Sequence, residues 1–163
     1  MKTLLIVWHS RSGGTRQLVD AAAQAARDVA DVIVIVKPAS EATADDVLAA
    51  DALLFSAPEN LATLSGAMKE FFDTRYYALL DRCAGKAYAS IVCAGSDGSG
   101  ATRQLDRIAT GLRLRRIAEP LIVCTQAQTP EAILAAKRIS AEDRQRAADL
   151  GSLLGNGLAL GLF

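Results

Sequence analysis

The chain alternates between short, continuously apolar runs and longer segments in which apolar residues recur every three to four positions. The runs fall at residues 3 to 8, 31 to 36, 52 to 56, 87 to 93 and 117 to 123. Unbroken hydrophobicity over so few residues predicts strands buried on both faces, as in a parallel sheet sandwiched between helices. The intervening segments predict those helices. The first runs from about Thr15 to Val29, with Leu18, Ala22, Ala25 or Ala26 and Val29 on one face. A short second helix follows Thr43, whose hydroxyl can cap it, and Asp45 and Asp46 suit the positive end of its dipole. A third spans Ser65 to Leu80, with Met68, Phe72, Tyr76 and Leu79 or Leu80 as a core stripe, and a fourth spans about Ala101 to Arg115. A fifth starts at Ser140, where Ser140-Ala141-Glu142-Asp143 resembles a capping box with Asp in place of Glu.

Strand and helix alternate five times without a composition break, a repeat or a low-complexity tract, so residues 1–163 form one α/β domain. The natural arrangement is a three-layer α/β/α sandwich around a five-stranded parallel sheet of order 2-1-3-4-5. In such sheets ligands sit beyond the C-terminal ends of the strands, at the switch point between strands 1 and 3. That rule selects three loops, residues 8 to 15, 57 to 65 and 94 to 100.

Composition narrows the class of ligand. Among 163 residues the 18 basic and 18 acidic side chains cancel, so no global field draws the chain to nucleic acid or to an anionic membrane. A small molecule is the expected partner. Cys83, Cys93 and Cys124 are odd in number and far apart, with no C-x-x-C, which points away from a disulfide framework and from a metal site. A reducing cytoplasm is the expected compartment. The apolar stretch after Met1-Lys2 is interrupted by Arg11 and the glycines, unlike an export signal. The apolar C-terminal stretch from Leu153 is far shorter than the ~20 residues of a membrane span and is expected to pack on the domain.

The first loop, Trp8-His9-Ser10-Arg11-Ser12-Gly13-Gly14-Thr15, places hydroxyls and glycines at a strand-to-helix turn. Free backbone N–H groups and the helix dipole make such a turn an anion site. The plainer reading is an ordinary turn capped by Thr15 or Ser12. The second loop is Ala57-Pro58-Glu59-Asn60-Leu61-Ala62-Thr63-Leu64-Ser65 and the third Ala94-Gly95-Ser96-Asp97-Gly98-Ser99-Gly100. Both are rich in backbone donors and small side chains, which suits a flat polar ring. Other users of this architecture lack their residues here. The chain has no G-x-x-x-x-G-K-[ST] run, no dinucleotide fingerprint after the first strand, no cysteine nucleophile in the first loop and no aspartate cluster at the end of strand 1.

Ser10-Arg11-Ser12-Gly13-Gly14-Thr15 matches the flavodoxin pattern [ST]-x-[ST]-G-x-T. Pro58 to Lys69 resembles the second flavin loop and following helix of the tryptophan-repressor-binding-protein type of NAD(P)H:quinone oxidoreductase, and Ser96 to Gly100 is similar to that family's third loop. The resemblance implies FMN as cofactor, NAD(P)H as co-substrate and a quinone-like or other small acceptor. It implies that Ser10, Arg11, Ser12, Gly14 and Thr15 hold the FMN phosphate. Pro58, Glu59, Asn60, Leu61 and Thr63 would then line one edge of the ring, and Ser96, Asp97, Gly98 and Ser99 the other. A homodimer and a flavodoxin-type electron carrier stay open.

Neither ring loop contains Phe, Tyr or Trp, which favours an open flavin face and a reductase over a carrier. No catalytic side chain is required, because the flavin carries the chemistry. Glu59 and Asp97, ionised near the ring, would lower its potential. His9 is the one histidine, and a structural hydrogen-bonding role is the default for it. Arg103, Arg107, Arg113, Arg115 and Arg116 read as a solvated basic face, with an adenosine-phosphate site as the alternative. Trp8, Tyr76, Tyr77 and Tyr88 read as packing residues.

Overall fold

A computed structural model describes residues 1–163. Its elements run β1 (Lys2–Trp8), α1 (Gly14–Arg27), β2 (Val32–Pro38), α2 (Ala44–Ala49), β3 (Ala52–Asn60), β4 (Thr63–Leu64) and α3 (Gly66–Leu79). They continue with β5 (Ala87–Ala94), α4 (Ser99–Gly111), β6 (Arg115–Arg116), β7 (Leu121–Cys124), α5 (Pro130–Leu134) and α6 (Ala141–Ala159). The central apolar runs form strands because they are covered on both faces. Leu5, Val7, Leu53, Phe55 and Val92 face a core shared with α3 and α4, whereas Leu4, Ile6, Leu54 and Ile91 face one shared with α1 and α6.

The parallel sheet runs β2-β1-β3-β5 and ends in an edge formed by β6 and β7, so the predicted order of five strands is the observed one. The predicted fifth strand, 117 to 123, is corrected: only its second half is strand, as part of β7, and the two-residue β6 precedes the predicted run on the same edge. Tyr88 pairs with Arg116 and Ile91 with Leu121, so the edge carries more chain between those pairs than β5 does. The excess is thrown out around Pro120, whose ring has no N–H to give a ladder. The second predicted loop is also corrected. β3 continues to Asn60 and turns into β4, with Asn60 opposite Thr63. The two central residues of that hairpin, Leu61 and Ala62, have φ of 51° and 63°, the type I′ pattern that Asn-Gly normally fills.

The apolar C-terminus is the second half of α6, packed along α1. Two glycines permit the close approach. A Cβ at Gly151 would collide with the Ala22 carbonyl oxygen, and one at Gly155 would lie 2.9 Å from a Val29 methyl. α1 itself ends at Arg27, two residues short of the predicted Val29, and α4 ends at Gly111 instead of Arg115. Tyr88 is buried and Tyr76 partly buried, but Tyr77 is 82% exposed, so packing does not account for it. No helix is long and apolar enough to cross a membrane.

Candidate functional site

A cavity of about 650 Å³ opens at the C-terminal ends of β1, β3 and β5, within the range that small ligands occupy. One helix N-terminus, that of α1, lines it through Gly14 and Thr15, and α1, α3 and α4 alike have no side-chain cap from their own N-cap residues. Helices α2, α5 and α6 are capped conventionally by Thr43, Thr129 and Ser140. The reading of a plain turn capped by Thr15 or Ser12 is therefore set aside, since the N-cap of α1 is Gly13 at φ 90°.

The first loop is shaped by its own hydroxyl. Ser10 Oγ accepts from Gly13 N–H at 3.1 Å, which folds the loop back over the start of α1. Gly14 then lies directly on β5, where a Cβ would sit 2.9 Å from Cys93 Sγ. Thr15 is buried at 1% exposure, lines the cavity, and its Oγ1 has no hydrogen-bond partner. A buried hydroxyl without a partner costs about 1–3 kcal/mol, so its position at an uncapped helix start fits a bound anion such as the FMN phosphate. Asn60 Nδ2, on the opposite wall, is likewise buried and unpartnered. Ser10, Arg11, Ser12, Gly14, Thr15, Pro58, Glu59, Asn60, Leu61 and Ser96 all line the cavity.

Four of the predicted site residues do not. Thr63 turns its hydroxyl onto the Asn60 carbonyl oxygen, within the hairpin. Asp97 accepts from Ser99 Oγ–H at 2.8 Å and from Ser99 N–H at 3.2 Å, so both residues are used at the start of α4, and these bonds hold the exposed Asp97 carboxyl below its ordinary range. Gly98 faces β7, where a Cβ would lie 2.6 Å from an Ile122 methyl. Glu59 lines the cavity, but its carboxylate accepts from Gly98 N–H and Ala101 N–H, each at 3.0 Å, and so caps α4 from another element. Both carboxylates expected beside the ring are thus engaged at the α4 N-terminus.

The fourth wall was not anticipated. Thr125, Ala127, Ile133, Leu134 and Lys137 line the cavity from the segment after β7. The available signal was Thr129-Pro130, a cap residue followed by proline at the first helical position, which starts α5. Gln17 clips this segment to α1, donating to the Gly13 and Lys137 carbonyl oxygens and accepting from Ile139 N–H. Lys137 Nζ is spent on three carbonyl oxygens at the end of α5, those of Ala132, Ile133 and Ala135. Arg11, in contrast, forms no ion pair and is the cation left free on the cavity wall.

His9 sits just outside this wall. Its Nδ1 lies 2.9 Å from Ser65 Oγ, which joins the end of β1 to the start of α3. Burial, and secondarily the charge of Arg11, lower its pKa below 6.5. Burial pushes the Cys93 thiol up to about 11, so at neutral pH it is a protonated packing group and no nucleophile. Of the basic residues near α4, Arg116 pairs with Asp106 and Glu119, and Arg113 with Asp81.

A parallel sheet of this order, with an uncapped helix start after β1 and a cavity at the switch point, is the arrangement of the flavodoxin-like, FMN-binding class of protein. The model of the family described as NADPH-dependent FMN reductase matches residues 1–129, and the chain belongs to that family. A protein of Aquifex aeolicus (strain VF5) described as a flavodoxin is 34% identical over 100 residues, 61% of this chain. That match spans about half, 52%, of the length of the Aquifex protein. Among solved structures, a flavodoxin from the domain Archaea superposes with a TM-score of 0.77 at 16% identity, covering 96% of this chain and 99% of its own. A flavodoxin, WrbA-like protein from Agrobacterium tumefaciens superposes with a TM-score of 0.68 at 17% identity, covering 98% and 99%.

Proposed function

We propose that the chain is an FMN-dependent oxidoreductase that takes a hydride from NAD(P)H and delivers it to a small acceptor of the quinone class. The observation that carries this reading is the unpartnered Thr15 hydroxyl at the uncapped start of α1, buried in the wall of a cavity with no aromatic side chain in its lining.

When bound, FMN supplies the hydride-accepting and hydride-donating chemistry itself. The chain's part is to hold and expose it. Ser12, Gly14 and Thr15, with the N–H groups of the first turn of α1, would take the phosphate, and Arg11 offers a fork of donors beside them. Asn60 Nδ2 offers a donor to a ring heteroatom from the opposite wall. The walls at the mouth are aliphatic, with Leu61 on the hairpin and Ile133 and Leu134 on α5, so a nicotinamide or a quinone ring meets apolar surface without a stacked aromatic in its place.

The test is a visible spectrum. Purified protein loaded with FMN should be bleached anaerobically by NADH or NADPH and recover on addition of a benzoquinone. A flavin-loaded protein that neither nucleotide reduces would be an electron carrier, and a protein that does not bind FMN would overturn the assignment altogether.

A further inference from the structure

β2 is the outermost strand of the sheet, and nothing in the chain pairs with its outer edge. Two backbone bonds establish which groups point outward. Lys2 N–H donates to the Asp31 carbonyl oxygen and Ala39 N–H to that of Trp8, so the odd-numbered residues of β2 direct their groups to β1. Alternation along a strand then leaves the N–H and C=O of Val32, Val34 and Val36 facing solvent. On the face shared with α2, the short helix leaves Ile33 42% and Ile35 37% exposed. Strand edges of this length are normally blunted by charge, proline or a bulge, and from Val32 to Val36 this one carries none of these, with Lys37 and Pro38 following only at its end.

The sequence of the strand is its own complement. Read from Asp31 to Lys37, the order Asp-Val-Ile-Val-Ile-Val-Lys is symmetric about Val34, with opposite charges at the two ends. We propose that a second copy of this chain pairs antiparallel along β2, with its two-fold axis at Val34. In that register each outward-facing valine meets an outward-facing valine, Val34 against Val34 and Val32 against Val36, giving about six ladder hydrogen bonds. Ile33 of one copy stands opposite Ile35 of the other, gathering four half-exposed isoleucines on one face. Asp31 comes opposite Lys37, which is already tied to Asp46 at 2.8 Å and so is held at that end of the strand. Displacing the register by two residues in either direction loses a valine pair and leaves the charges unmatched. The interface is isologous and closes at two copies. It lies on the strand beyond β1, away from the cavity-lining hairpin and α5, so it leaves the mouth of the site open.

Sedimentation velocity over a concentration series tests the assembly. The chain should sediment at twice its monomer mass, and I33D/I35D and I33K/I35K should each be monomeric while retaining the circular dichroism of the parent. Mixing the two variants should restore a dimer, because every opposed pair is then oppositely charged. Mild oxidation should link V34C into a covalent dimer, and not V32C, whose opposite residue is Val36. A parent chain that stays monomeric throughout, a dimer that survives in I33D/I35D, a mixture that does not associate, or equal cross-linking of V34C and V32C would each overturn the proposal.

Discussion

The Glu59 carboxylate bridges Gly98 N–H and Ala101 N–H, so β3 supplies the cap that α4 lacks. A charged group at a helix start accepts stronger hydrogen bonds than a neutral one and also meets the dipole. E59Q should therefore lower the unfolding free energy by about 1 kcal/mol and E59A by about 1–2 kcal/mol. Urea denaturation of the flavin-free chain reads both.

Thr15 offers a test in which stability and binding move in opposite directions. T15V removes a buried hydroxyl that has no partner, so the flavin-free chain should be as stable as the parent or more stable, by up to about 1 kcal/mol. The same change should weaken FMN binding by about tenfold, or 1.4 kcal/mol, and T15S should retain affinity. Quenching of flavin fluorescence measures the affinities, and loss of both quantities together would assign Thr15 to packing alone.

The hairpin turn stores backbone strain at a place where the sequence could have avoided it. Leu61 and Ala62 hold φ of 51° and 63°, and Leu61 is 99% exposed, so its side chain gains no burial. L61N/A62G installs the residues that a type I′ turn prefers and should stabilise the chain by about 1–2 kcal/mol. If Leu61 serves the acceptor ring, L61N should raise the KM for quinone with little change in flavin affinity.

His9 gives a clean pH readout because it is the only histidine. Its pKa in the folded chain lies below 6.5, with burial as the first cause and the Arg11 charge as the second. Below pH 6.5 the unfolded chain binds the proton first, so stability should fall as the pH drops from 6.5 to the folded value and be level above 6.5. The imidazole resonances should titrate below 6.5, and R11A should move that midpoint upward part of the way. A midpoint at or above 6.5 would contradict the burial of the ring.

The strands were legible because burial on both faces leaves an unbroken apolar run, as in Leu4 to Val7, and the order is one of the few that right-handed connections allow in a doubly wound sheet. The first loop was legible as part of the cavity wall because its small and hydroxyl residues stand at the end of the first apolar run, where the sheet opens. The ring loops were less so. Pro58 to Asn60 were expected in a loop and are strand, since pairing with β5 and β4 outweighs the weak strand preference of Pro, Glu and Asn. Thr63, Asp97 and Ser99 sit in the right segments but spend their polar groups on neighbouring backbone and side chains, a choice that residue type does not reveal. The wall from Thr125 to Lys137 depends on Gln17, an unremarkable helix residue whose amide reaches across more than a hundred positions of chain.

Helices that begin without caps leave part of the folding free energy to be supplied from outside. Because α1 opens onto the cavity from Gly13 with the Thr15 hydroxyl unsatisfied, the melting temperature of this chain becomes a gauge of what occupies the cavity. A ligand present at a hundred times its Kd adds about 2.7 kcal/mol to the folded state. Flavin supply would then set not only how fast such a protein works but how long it survives, with chains made during flavin shortage being the first to unfold and be degraded.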